Sequence, residues 1–474
     1  MTKRIRFDEA KEILNKFFCG RLYPIVASAI VLFSHIFGIE FYLNFINVFL
    51  CILSFLVCDS VKPFIPVICT YAYQFSRLTN LSMPDKPDFY YSGFKLYVII
   101  TLFCLAILSS VVFFIKYRKR SLSAVKRLPI LPAAILLSAA FLMNGAFSDA
   151  WVIGSFGFGA VQIATFFVIF YFFTVGLEGE NAEKLVSYFS YVTAVMAGIP
   201  ILETLWLYLS GDLSYLDGSV VKESVNYGWG NWNTAGQQMV MTLPLLFYGV
   251  MKNRYPWIYF SLAILTVFCS VLTLSRNALI LSLVFFAALS VVCMFFGQVK
   301  KAFRVLLPVG IFLLTAMVIV FWGKISLMLG DYLDRGLSDN GRFELWKMGF
   351  DSFLEAPVFG KGFFGAYPPE YQDGGIFPMM AHNTLIELLC GTGLFGLAAY
   401  IFYRVCTVRI FVIRPTLSKT MLGLAMLTVI VGSMLDNFIF YYHQMLYYPI
   451  ACALAFKLFS QQKGDAETGS LFEK

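Results

Sequence analysis

Hydrophobic positions along the chain run in blocks of roughly 17 to 25 residues, the length that crosses about 30 Å of hydrocarbon as a helix. The blocks fall at about 21–39, 40–58, 62–77, 94–116, 128–147, 155–177, 185–210, 233–251, 257–274, 277–297, 303–323, 384–404, 420–437 and 444–460. This pattern predicts an all-α polytopic membrane protein of about 12–14 transmembrane helices. The third block, around PFIPVICTYAYQ, is short and holds prolines, so a re-entrant loop competes with a crossing there; the basic cluster that follows favours the crossing.

One interruption is much longer than the others, at residues 324–383. Within it, Phe343, Trp346, Phe350 and Leu354 recur at helical spacing, opposite Glu344, Lys347, Asp351 and Glu355, which predicts an amphipathic helix lying on the membrane surface. Asp339 or Asn340 is placed to cap its start. The glycine-rich PVFGKGFFGAY that follows superficially suggests a phosphate loop, but it lacks GK[ST] and a strand-turn-helix context, which excludes the nucleotide reading.

Composition agrees with the block pattern. Apolar residues make up 59% of the chain and charged ones 14%, whereas soluble domains sit near 45–50% and 25%. The net charge of +8 comes from short Lys/Arg clusters between blocks, such as KYRKRSLSAVKR at 116–127, and therefore implies cytoplasmic loops, not nucleic acid. The stretch 324–383 is flanked by two such clusters, each one span away, so it is expected to face outward with both termini inside. The organisation expected is a basic N-terminal segment at 1–22, one transmembrane domain at 23–460 and a polar tail at 461–474. Ile13, Leu14, Phe17 and Phe18 of the N-terminal segment are expected to point to lipid.

The chemistry-bearing residues gather on the outward side. Arg276, in the turn LTLSRNALI, presents an anion-binding fork; the plain alternative is an interfacial arginine reaching lipid phosphates. Arg342, in the first turn of the amphipathic helix, stands beside free N–H groups that favour anions, or else pairs with Asp339. Arg335 has Asp331 and Asp334 as neighbours. His382, in MMAHNTLIELL, is one of only three histidines; it is either a proton acceptor or a polar residue at a helix start. No cluster with metal-ligand spacing surrounds it, and neither a metal nor a cofactor is expected.

In their order, LSRNAL, then GRFELWKMGFDSFLEAPVFGKGFFG, then AHNTLIELLCGTGLFG resemble the O-antigen ligase and polymerase family, and NWNTAGQQ, with Asn231 and Asn233, is similar to it as well. The resemblance covers about 225–400 and implies a bacterial cytoplasmic-membrane glycosyltransferase. Such an enzyme moves a saccharide from undecaprenyl pyrophosphate to an acceptor glycan at the outer face, with possible partners among other polysaccharide assembly proteins. It further implies that Arg276 and Arg342 hold the pyrophosphate, that His382 activates the acceptor hydroxyl with inversion, and that Asn383, Asn231, Asn233 and Arg335 contribute to substrate binding. Asn277 departs from the small residue the family often places after Ser-Arg. Two rival readings stay open, a transporter or flippase of lipid-linked oligosaccharides and a catalytically silent assembly partner.

Overall fold

A computed structural model describes residues 2–461 apart from 38, 80–92, 118–129, 178–179, 211–212, 217–218, 221–223, 228–229, 296–298, 324–325, 327–340, 368–380 and 441–446. The helices are α1 (Thr2–Phe18), α2 (Leu22–Phe37), α3 (Glu40–Val57), α4 (Phe64–Thr79), α5 (Gly93–Tyr117), α6 (Leu131–Leu142), α7 (Ile153–Gly176) and α8 (Ala182–Ser210). They continue with α9 (Trp232–Lys252), α10 (Pro256–Leu272), α11 (Arg276–Phe295), α12 (Lys300–Val320), α13 (Arg342–Glu355), α14 (Thr384–Val412), α15 (Leu417–Gly432) and α16 over 447–461. Two small antiparallel hairpins, β1 (Tyr215–Leu216) with β2 (Ser219–Val220) and β3 (Asn226–Tyr227) with β4 (Gly230–Asn231), precede α9.

The chain is an all-α polytopic membrane protein, and each apolar block in the sequence holds one helix. Among the described residues, four helices are long and apolar enough to cross a membrane: Ala182–Ser210, Arg276–Phe295, Lys301–Val320 and Thr384–Val412. The pair Glu9–Phe18 and Leu22–Phe37, bent by 65°, would make a fifth. Apolar blocks overstate helix length where the chain turns inside them. Block 128–147 holds only the 12 residues of α6, about 18 Å at 1.5 Å per residue.

The N-terminal helix corrects one expectation. Ile13 is exposed, but Phe18 is fully buried with Tyr23, Ala27 and Cys58, and Leu14 and Phe17 pack half-buried against the same cluster, since the bend into α2 turns the end of α1 inward.

The chain forms two compact units. One contains α1–α5, α8–α12 and the hairpins; the other contains α6, most of α7, and α13–α16. In the first, α9 is buried along its whole length from Thr234 to Met251, packed by α8, α10 and α11, as befits a helix at the centre of a bundle. Asn231 starts it: its Oδ1 accepts the Thr234 N–H at 3.0 Å, satisfying one of the donors that a helix start leaves open.

In the second unit the central helix is α14, and it is broken. Gly393, at φ 64° and ψ −164°, interrupts its helical backbone, a conformation essentially restricted to glycine. The loop after α13 fills the break. Lys361 and Gly362 donate their N–H groups to the carbonyls of Cys390 and Gly391 at 2.8 and 3.0 Å, and Leu394 and Phe395 donate to Pro357 and Val358 at 2.9 and 3.1 Å. These bonds engage backbone groups on both sides of the interruption, which in hydrocarbon would otherwise cost several kcal/mol each.

Candidate active site

His382 occupies the left-handed region, at φ 52°, one residue before the cap of α14. A side chain rarely adopts that backbone without support, and here both neighbours are clamped. The Ala381 carbonyl accepts the indole N–H of Trp346 at 2.8 Å, and its N–H donates to Glu387 Oε2 at 2.8 Å. On the other side, Asn383 caps α14 by accepting the N–H groups of Leu385 and Ile386 at 2.9 and 3.3 Å, while its Nδ2 donates to the Met434 carbonyl at 3.0 Å. The Thr384 N–H reaches the Ser433 carbonyl at 2.9 Å, so the start of α14 is tied to the turn that follows α15.

That turn delivers Asp436. Its Oδ1 lies 3.1 Å from His382 Nδ1, with the carboxyl 3% exposed and the imidazole 38% exposed. The Asn437 N–H also donates to Oδ1, at 2.8 Å. Nδ1–H is thus the proton given to the carboxylate, which leaves the lone pair on Nε2, as in any histidine oriented by an acid through its other nitrogen. The pair joins an acceptor of protons, open to solvent on one side, to a buried acid that stabilises the imidazolium once it forms.

Arg342 is the first residue of α13 and is half-buried; among the described residues it makes no ion pair. It stands one helical turn before Trp346, on the same face, and Trp346 is the residue that grips Ala381. The helix starts from Gly341 at φ 77°; the expected caps Asp339 and Asn340, and Arg335, lie outside the described residues. Phe343, Phe350 and Leu354 are exposed, as a surface helix facing lipid requires. A separate stripe packs on the protein. Leu345, Gly349 and Ser352 are buried, with Gly349 close to Ile386 and the Tyr367 hydroxyl and Ser352 Oγ donating to the Ala366 carbonyl. The surrounding burial raises Tyr367 well above the usual phenol range, which keeps it neutral.

Four consecutive N–H groups of the glycine-rich loop, from Lys361 to Phe364, are spent within the protein. Besides the two N–H groups spent on α14, Phe363 donates to Asn144 Oδ1 at 3.2 Å and Phe364 to Ser155 Oγ at 3.0 Å. Asn144 and Ser155, both fully buried, are positions that the sequence reading did not single out. Nothing in the spacing of α6 and α7 marks them.

Arg276 belongs to the first unit, where it opens α11 directly after Leu274 at φ 61° and the buried Ser275. The NWNTAGQQ segment packs on this turn through Gly236: a Cβ there would lie 2.4 Å from Ala278 Cβ and 3.0 Å from Thr273 Oγ1. Asn233 is half-buried in the first turn of α9, while Asn231 is the cap already described. His35 pairs with Glu203 inside this unit, both nearly buried. His443 lies outside the described residues. Among the described residues no group of three or more His, Cys, Asp or Glu is arranged to hold a metal ion.

Replacing Trp346 with phenylalanine keeps an aromatic side chain, though a smaller one, and removes the donor to Ala381. The expected result is a loss of about 1 kcal/mol in stability, read as a lowered melting midpoint in detergent.

Residues 260–401 match the family model described as O-antigen ligase. No curated protein matches the chain at a significant level.

Proposed function

We propose, from the premise that residues 260–401 are an O-antigen ligase domain in a multi-pass membrane protein, that the chain transfers a saccharide from a polyprenyl pyrophosphate carrier to an acceptor glycan. The observation that carries this reading is His382 held in a left-handed backbone with Nδ1 on Asp436. The acceptor hydroxyl gives its proton to Nε2 as its oxygen attacks the anomeric carbon, and the bond from that carbon to the pyrophosphate oxygen breaks with inversion. The departing lipid pyrophosphate takes the electron pair. Its growing charge calls for a preorganised cation, the role assigned to Arg342 at the start of α13, where anions are favoured. The chemistry is assigned to the outer face of the bacterial cytoplasmic membrane, following the placement of basic clusters in the sequence.

The broken α14 is the feature a transporter reading would use. Its break is filled by the 357–362 loop, which supports a fixed scaffold over an alternating-access gate.

The test is transfer in vesicles that contain purified protein, a polyprenyl-pyrophosphate saccharide and an acceptor. Arg342→Ala is expected to lower transfer by on the order of tenfold to a hundredfold, the worth of a charged hydrogen bond. Saccharide that crosses the bilayer without being joined to acceptor would instead identify a flippase.

A further inference from the structure

Two cysteines that lie far apart in the chain meet in the first unit. Cys19 sits in the bend between α1 and α2, and Cys58 directly follows α3. Cys58 is fully buried in the cluster of Phe18, Tyr23 and Ala27, while Cys19 packs on that cluster half-buried. The Cys58 thiol donates a hydrogen bond to the Cys19 sulfur. The two segments are also joined by Lys11 Nζ, 3.6 Å from Asp59 Oδ2 next to Cys58, and by the Phe18 ring set edge-on to Tyr23 at 4.9 Å between centres.

A cysteine enclosed in apolar surroundings is inert, and the fully buried Cys269, Cys293 and Cys452 are of that kind. Cys19 differs from them. It keeps an accessible edge, its sulfur accepts a hydrogen bond from a second thiol, and the Lys62 ammonium favours a thiolate there, with Asp59 and Glu180 opposing. Its own S–H contacts Asn15 Oδ1 at 3.4 Å. A partly accessible thiol backed by a buried one is the arrangement of an attacking and a resolving cysteine.

We infer that Cys19 and Cys58 form a redox-reactive dithiol, which a low-molecular-weight disulfide converts to a bridge stapling the α1–α2 bend to the end of α3. The Cys19 thiolate attacks one sulfur of the small disulfide, whose S–S bond breaks and releases one half as a thiolate. The Cys58 thiol gives its proton to that thiolate and attacks the Cys19 sulfur, expelling the second half as a thiolate. Two protein sulfurs are oxidised and one small disulfide is reduced, so no further oxidant is needed. The placement of basic clusters assigns this end of the helices to the cytoplasm, where disulfides are transient and redox-sensing. The inference does not depend on the proposed transfer chemistry.

The test exposes full-length protein in nanodiscs to oxidised glutathione, blocks remaining thiols with N-ethylmaleimide in denaturant, and maps the unreduced digest by mass spectrometry. The expected product is a Cys19–Cys58 linked peptide pair that dithiothreitol releases, with Cys269, Cys293 and Cys452 carrying maleimide only. The bridged protein is expected to melt a few degrees higher than the reduced one, because the bridge restricts the unfolded chain. Cys58→Ser is expected to stop at a glutathione adduct on Cys19, and Cys19→Ser to slow reaction at Cys58 at least tenfold. Wild-type protein that yields no linked pair, or that holds a lasting adduct on Cys19, overturns the inference even if neither variant accumulates. Undiminished reaction of Cys58 in folded Cys19→Ser protein removes the attacking role, and a bridged protein that melts no higher removes the staple.

Discussion

Replacing His382 with alanine is expected to reduce saccharide transfer by about 10² to 10⁴, the usual contribution of a positioned proton acceptor, while the protein still accumulates in the membrane. Accumulation should persist because the imidazole is 38% exposed and because the backbone clamps do not use the side chain: Trp346 and Glu387 hold Ala381, and Asn383 holds Met434. The companion substitution is Asp436→Asn. It preserves the shape of the turn and an oxygen for the Asn437 N–H, yet removes the charge that stabilises the imidazolium. A loss on the order of tenfold to a hundredfold follows from the worth of a charged hydrogen bond, about 1.5–3 kcal/mol. Transfer rates at saturating acceptor, with membrane protein quantified in parallel, check both variants. Full activity in folded His382→Ala protein would remove the proposed base.

Replacing Gly393 with alanine is expected to deplete folded protein from the membrane. Its φ of 64° with ψ −164° strains any other residue by roughly 1–3 kcal/mol. The added Cβ would also lie 2.4 Å from the Val358 carbonyl oxygen and 2.7 Å from the Gly360 nitrogen, both backbone atoms that cannot swing aside. Overpacking of that kind adds about 1–3 kcal/mol, and the sum is a large share of a typical stability of 5–15 kcal/mol. The matched control is Gly157→Ala in α7, where a Cβ meets nothing within 4 Å. Fluorescence-detected size exclusion of the two variants should show a collapsed or aggregated profile for Gly393→Ala and an unchanged one for Gly157→Ala. Identical profiles would mean that the loop can withdraw from the break, contrary to the tight packing seen here.

The amphipathic helix shows how partial a sequence pattern can be. Phe343, Phe350 and Leu354 revealed that α13 lies on a surface, because a run of large apolar residues at helical spacing reports the greasiest face. The face that fixes the helix to the protein is made of Leu345, Gly349 and Ser352, of which only Leu345 carries a hydrophobic signal. Its value comes from the shape of Ile386 and Tyr367 opposite. The glycines of PVFGKGFFG were equally visible, but as candidates for ligand approach. In the fold Gly360 and Gly362 instead let two backbones meet, with a Cβ on Gly360 lying 2.5 Å from the carbonyl carbon of Gly391.

Sequence by itself determined the membrane class and the places of the helices, and it singled out His382 as a candidate, since hydrophobic block length and the rarity of a residue type are properties of a linear string. Tertiary structure alone decided that His382 has Asp436 as its partner, 54 residues away, and that Asn144 and Ser155 hold the glycine loop. A hydrogen bond between distant residues is set by how helices pack, and packing depends on the shapes of many side chains at once. No spacing in the chain records it.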